Sequence, residues 1–344
     1  VTRRTTGSRD SESMKAGNVS QTIWKRSVKK QLHTDRKEVL FQPSAEEACS
    51  VVRISEGKLA VYAQAEASGD SVRTGIYAAV RALNDLAVHG VEPTALSVQI
   101  LLTPYAQEED LKAMTGCLES VCLEAGVQLA CVRAEVTSAV ARTVIFVTAQ
   151  GEAAEDALLR PAYALPGQDI VLCGYAGLEG MLRILDEREE ELGRRFVPAF
   201  IQQMKQLRGN VLALDAARAA AACGVKAMYQ VGSGGIFAGL WELAEAAGIG
   251  LDVELSGMSV RQETVELCEY YNLNPYQMTS AGCILMTARD GDALVKALER
   301  VGARAGKLGV TTDKKARVIT SGEEQRYLDR PAPDELMCWW ERTG

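Results

Sequence analysis

The chain has 344 residues, 47% of them hydrophobic and 24% charged, with a formal net charge of -7. That length exceeds one ordinary core and predicts two domains, and the composition excludes a disordered chain. The acidic balance excludes a basic nucleic-acid-binding face but leaves room for a nucleotide at one local site.

No apolar run reaches the length of about 18 residues that a membrane helix needs. The nine cysteines include no Cys-x-x-Cys pair, and His33 and His89 are the two histidines, so a zinc centre is not expected. An odd cysteine count in a long chain points to a reducing, cytoplasmic setting.

In chain order, residues 1–13 are polar, without the apolar core of a signal peptide, and read as a poorly ordered upstream extension. Residues 14–32 read as a helix with Ile23, Trp24 and Val28 on one side. Strand patterns at 50–54 and 59–63 follow, then a helix over 72–89 ended by Gly90, with Pro93 beyond it. A strand over 95–102, a helix over 108–125 stopped by Gly126, and strands at 127–132 and 143–149 complete a β-β-α-β-α-β-β half.

A linker is expected at 153–168. The second half then reads as a strand at 170–173, a helix at 178–191 with a helical stretch on to Gly209, and an alanine-rich helix over 211–223. Further helices are expected at 236–247, 262–271 and 292–301, with strands at 250–255 and 283–288. The expected division is an N-terminal domain over 14–152, a C-terminal domain over 169–336 and a tail at 337–344.

Three segments carry chemical interest. Asn84 and Asp85 interrupt an apolar helix, where short polar side chains have low propensity. They either face solvent or serve a cation or an interface. Gly232-Ser233-Gly234-Gly235 opens a helix, so its N–H groups suit an anion; the alternative is a tight turn with close helix packing. It matches neither the P-loop nor the dinucleotide fingerprint. Pro166-Gly167-Gln168-Asp169, with the glycines from Gly174 to Gly180, is a turn, a strand and a helix start.

In this order and spacing the segments resemble the AIR synthase (PurM-like) superfamily, and within it the AIR-synthase-related, HypE-like branch of hydrogenase maturation proteins. Asn84-Asp85-Leu86-Ala87 with Gly90 and Pro93 is similar to that family's Asn-Asp-hydrophobic-Ala-x-x-Gly-x-x-Pro motif. Pro166 to Gly180 is similar to its Pro-Gly-Asp strand and glycine-rich helix start. Gly234-Gly235 with Leu240 to Ala244 resembles its Gly-Gly helix, and Asn274-Pro275 through Gly282 resembles its Asp-Pro…Ser-Ser-Gly stretch.

The resemblance implies an α/β (α+β), PurM-like two-domain fold. Its N-terminal sheet pairs across a homodimer into a barrel, and a C-terminal α/β domain follows. It implies ATP and Mg2+ as cofactors, with Asn84, Asp85, Gly234 and Gly235 as cofactor-binding residues. Asp85, Glu47 and Glu66 would be the metal ligands, with Glu46 and Glu135 as further acids in reach of that role. The implied activity is ATP-dependent phosphorylation of an amide or carbamoyl oxygen, and the implied partner is a carbamoyl-transfer or hydrogenase-maturation protein. Neither nucleic acid nor membrane is implied.

Several family positions are changed. The Thr-Thr-Asp strand end corresponds to Ala63-Gln64-Ala65-Glu66, and the Asp-Pro-Thr-x-Gly-Gly turn has become Gln230-Val231-Gly232-Ser233-Gly234-Gly235. Magnesium is held by carboxylates plus substrate phosphates, so lost acids predict a degenerate metal–ATP site. A non-catalytic dimeric paralogue acting as a binding or scaffold protein is therefore the competing expectation. Near the C-terminus, Cys338 is followed by Trp339-Trp340, which reads as a docking patch with a packed thiol.

Overall fold

The structure is a computed structural model that describes residue 14 and residues 17–40 and 52–343. Residues 1–13, most of the segment that leads to Val52, and the candidate ligand Glu47 with its neighbour Glu46 lie outside the described residues. The chain divides into two compact units. One takes in 64–79 and 94–149 together with the chain up to Ile54; the other takes in 55–63, 80–93 and 150 onward.

The N-terminal half runs β1 (Gly17–Asn18), α1 (Gln21–Ser27), β2 (Leu59–Gly69), α2 (Thr74–Val88), β3 (Glu92–Leu102), α3 (Glu108–Ala125), β4 (Gln128–Val136) and β5 (Thr143–Ala153). Its strands form one sheet in the order β1-β4-β3-β5-β2. Helix α3 has the predicted bounds because its ends are marked. Gln107 and Asp110 form a capping box, three acids fill the first turn, and Gly126 closes the helix in the left-handed region at φ 68°. Leu111, Met114, Leu118 and Val121 form its buried stripe.

The predicted helix over 14–32 is shorter than expected. Gly17 pairs with Val136 as a sheet edge, and the Ser20 side chain caps a helix that begins only at Gln21. Helix α1 is tied down by long-range bonds. Trp24 Nε1 donates to the Val132 carbonyl at 3.0 Å, and Arg26 and Ser27 donate to the Glu108 carboxylate. Of the strand expected at 50–54, Val52 forms an isolated antiparallel bridge to Val39.

The C-terminal half runs β6 (Asp169–Cys173), α4 (Leu178–Arg195), α5 (Pro198–Gln206), α6 (Leu214–Ala222), β7 (Ala227–Gln230), α7 (Gly235–Ala247), β8 (Gly250–Glu254), α8 (Gln262–Tyr271), β9 (Ile284–Ala288), α9 (Gly291–Arg300), β10 (Ala305–Thr312), β11 (Arg317–Ser321), β12 (Glu324–Tyr327) and α10 (Glu335–Thr343). Its sheet order is β12-β11-β8-β10-β6-β9-β7. Strands β8 and β11 pair in parallel and the other neighbours antiparallel.

Ile170, Leu172, Leu240, Leu251, Leu285 and Leu308 meet in its core. Strands β10 to β12 and helix α10 extend the domain beyond the last element expected, at 301. The helical stretch from 178 is interrupted twice: α4 kinks at Arg188, which leaves helical geometry, and α5 starts anew at Pro198. No helix among the described residues is long and apolar enough to cross a membrane.

Candidate functional site

Helical spacing sets Arg81 and Asp85 one turn apart along α2, with Asn84 beside them and His89 one residue past the helix end. Asn84 is completely buried, which removes the solvent-facing alternative for it. Its Nδ2 donates to the Val211 carbonyl at 2.8 Å, and its Oδ1 accepts from the Ala213 N–H at 2.9 Å. Both ends of the amide therefore hold the backbone that leads into α6.

Asp85 is half-buried, and its Oδ1 accepts from Gln230 Nε2 at 2.6 Å. The same nitrogen donates to the Arg81 carbonyl at 3.0 Å. His89 Nδ1 lies 2.7 Å from the Asp85 carbonyl oxygen. Burial pushes the Asp85 carboxyl above its ordinary value; the Gln230 amide, His89 and Arg81 oppose this without cancelling it. Gln230 ends β7 and opens the glycine turn, so two motifs 145 residues apart in sequence are joined here.

Within the turn, Gly234 and Gly235 have φ of 77° and 67°. A Cβ at 235 would lie 2.5 Å from the Tyr276 carbonyl, and one at 234 would lie 2.8 Å from Ala238 Cβ. Both glycines are thus required by backbone geometry and by the close seating of α7. Gly235 N–H donates to the Gly232 carbonyl at 3.2 Å, and Gly234 N–H donates to Asp334 Oδ2 at 2.7 Å. The other Asp334 oxygen accepts from the Leu336 N–H at 2.9 Å. Burial raises the Asp334 carboxyl despite these two N–H donors. A carboxylate from the C-terminal segment thus takes the anion position at the start of α7.

A buried acid that the sequence reading did not select sits nearby. Glu179, fully buried, accepts from Thr279 Oγ1 at 2.7 Å, the Ala281 N–H at 3.1 Å and Arg183 Nη1 at 3.2 Å, with Arg81 Nε at 3.9 Å. Burial alone would raise its carboxyl, but Arg81, Arg183 and the two hydrogen bonds hold it below the usual carboxylate range. The Glu179–Arg183 pair at i, i+4 was the sequence signal that could have marked it.

Arg183 also stacks over the Trp340 ring at 4.7 Å, and the Trp339 ring lies 5.4 Å from that of Tyr271. Helix α10, carrying Cys338, is thereby docked on α4 and α8.

The proposed ligands can be tested against a magnesium ion. Hard cations take oxygen ligands at about 2.0–2.1 Å, usually one or two carboxylates with phosphates and water. The Asp85 oxygen already faces an N–H donor at 2.6 Å. Glu66 is an exposed residue of β2. Among the described residues, no three His, Cys, Asp or Glu side chains form a group that could hold a metal. Among the described residues, then, no preformed carboxylate cluster for a divalent ion surrounds Asp85; Glu47 lies outside them.

Two α/β domains, with an Asn-Asp helix whose carboxylate reaches the start of a Gly-Gly turn, define a protein of the PurM-like class. The chain belongs to the AIR synthase related family: the N-terminal domain profile matches residues 46–153, and the C-terminal domain profile matches residues 166–321.

The carbamoyl dehydratase HypE of Rhizobium leguminosarum bv. viciae is 26% identical over 263 residues, covering 74% of this chain and 73% of the relative. The solved structure of hydrogenase maturation protein HypE in complex with ATP matches with a TM-score of 0.69 at 16% identity, covering 92% of this chain and 96% of that one. A HypE–HypF complex matches with a TM-score of 0.62 at 19% identity, covering 81% and 92%. At these identities the solved structures show the shared fold.

Proposed function

We propose that this chain is a HypE-like, ATP-dependent protein acting on an amide or carbamoyl oxygen, with a degenerate metal–ATP site. The observation that carries this reading is the 2.6 Å bond from Gln230 to Asp85, which joins the Asn-Asp helix and the glycine turn into one site. When bound, ATP supplies the phosphoryl group that turns a carbamoyl oxygen into a leaving group. The chain's own residues set the frame. Asn84 fixes the backbone at 211–213, Glu179 with Arg81 and Arg183 fixes the base of α4, and the two glycines let α7 start against the loop at 276–278.

A HypE relative is named a carbamoyl dehydratase, and solved HypE structures include complexes with ATP and with HypF. These support ATP as the nucleotide and a hydrogenase-maturation protein as the partner. Homodimerisation through the N-terminal sheet is part of the same reading. It is supported by Tyr62 on β2 and Phe146 on β5, which are 61% and 46% exposed. Magnesium would then enter with the nucleotide, since Asp85 is engaged elsewhere.

Calorimetric titration with magnesium–ATP tests this reading. Saturable binding, with slow ATP turnover raised by a carbamoylated thiol, is expected; silence at millimolar ATP overturns it. A second reading, a non-catalytic dimeric scaffold, is favoured by one observation. The Asn84, Asp85, Gly234 and Gly235 groups all have partners inside the chain. The silent titration is its signature.

A further inference from the structure

We infer that Gln230 is the residue that keeps a divalent cation off Asp85, its side-chain amide serving as the internal counter-group of that carboxylate. The inference deepens the proposed site and rests on that reading for its functional meaning, but the contact itself is a property of the chain.

The orientation of the amide follows from its surroundings. One terminal atom of Gln230 faces two acceptors, the Asp85 carboxylate oxygen at 2.6 Å and the Arg81 carbonyl at 3.0 Å. Only the nitrogen can stand there, because an oxygen would meet two oxygens. The assignment leaves Oε1 of this 7%-exposed residue without a hydrogen-bond partner among the described residues.

An unpaired buried acceptor is costly, and it is tolerated here together with the two donated bonds. The amide thus gives Asp85 a neutral, hydrogen-bonding neighbour where a second acid would have made an oxygen pair. Donor and acceptor at this distance leave no space for an ion between them, and an N–H cannot ligate one.

The position is therefore a switch by identity. Glutamate has the shape of glutamine and would set a second carboxylate against Asp85. Two facing carboxylates either share a proton, so that only one is ionised, or hold a cation between them. Other titratable groups around the carboxylate are Arg81 on its own helix and His89 just past the helix end, with Tyr229 and Glu242 on the adjoining β7 and α7. None of these replaces the contact from Gln230.

The test uses the intact chain without nucleotide and with Mn2+ as the probe, read by calorimetry and by the electron-paramagnetic-resonance signal of free Mn2+. Wild type and Asp85→Asn are expected to behave alike up to millimolar Mn2+. Gln230→Glu is expected to gain one site with affinity raised roughly tenfold or more, as an added carboxylate ligand supplies, and Asp85→Asn in that background should remove it.

Wild-type Mn2+ binding that Asp85→Asn abolishes would overturn the inference, as would a folded Gln230→Glu chain that gains no site. Should Gln230→Glu fail to fold, the wild type and Asp85→Asn pair decides alone. Because no nucleotide is present, failure of ATP to bind leaves this result untouched, and the two proposals fail separately.

Discussion

Two carboxylates in the same compact unit, the fully buried Glu179 and the half-buried Asp85, are neutralised in opposite ways. Glu179 has two guanidinium groups, a hydroxyl and a backbone N–H, and its charged form is favoured although it is fully buried. Asp85 has one amide hydrogen bond and more distant positive groups, and its charged form is disfavoured. Burial raises both carboxyls and Glu179 is the more deeply buried, so the opposite outcome lies in the partners. A carboxylate with a full set of charged donors is a structural brace. One that is under-compensated is where a ligand's charge would change most.

Breaking the brace should have the largest effect. Glu179→Ala leaves Arg81 and Arg183 without their shared anion, and loss of one partner of a buried pair costs about 3–5 kcal/mol. Urea denaturation should show this as a lower midpoint with an unchanged slope. Asn84→Ala comes next. It strands the Val211 carbonyl and the Ala213 N–H, at about 1–3 kcal/mol for each buried group left unpaired, measured in the same way.

Asp85→Asn should cost the fold least, within about 1 kcal/mol, because the new amide oxygen still accepts from Gln230 and no charge is buried. If it proved as damaging as Glu179→Ala, the contrast between the two acids would collapse.

Acidity sharpens the comparison, because the two acids should give slopes of opposite sign. The Glu179 carboxyl is held below its ordinary 4.5, so its contribution is present above that value and is lost as the pH falls through the depressed one. The Asp85 carboxyl is raised above 3.8, so the fold binds its proton more tightly than the unfolded chain does. That contribution is full below 3.8 and disappears as the pH rises through the raised value. Stability measured across mildly acidic pH should therefore gain in Asp85→Asn relative to wild type as the pH rises, whereas Glu179→Gln should close its deficit as the pH falls.

Much of the fold was legible where residues mark element ends or faces. The bounds of α3 and α8 agree with the periodicity because Gly126 and Asn272 stop them in left-handed geometry. Strands β10 to β12 were missed for a physical reason. Gly306, Gly309 and Lys307 break the alternation in β10, and β12 is exposed along its whole length, so neither shows a hydrophobic pattern.

At the site, Asn84 and Asp85 stood out as polar residues in an apolar helix, and the tight-turn reading of the glycines has direct geometric support. Their partners did not stand out. Gln230 and Val211 lie more than a hundred residues away, and no local pattern shows which amide will face which acid. Asp334 carried no sequence signal, and its partner Gly234 lies a hundred residues earlier in the chain.

The most direct test of the central claim follows the Gln230 side-chain amide itself by nitrogen–proton NMR, with its resonance pair assigned by its loss in Gln230→Ala. Bound to Asp85, the pair should persist unbroadened as Mn2+ is added to millimolar concentration without nucleotide. Its disappearance at sub-millimolar Mn2+ would place the ion at Asp85 and contradict the claim that the amide holds that carboxylate.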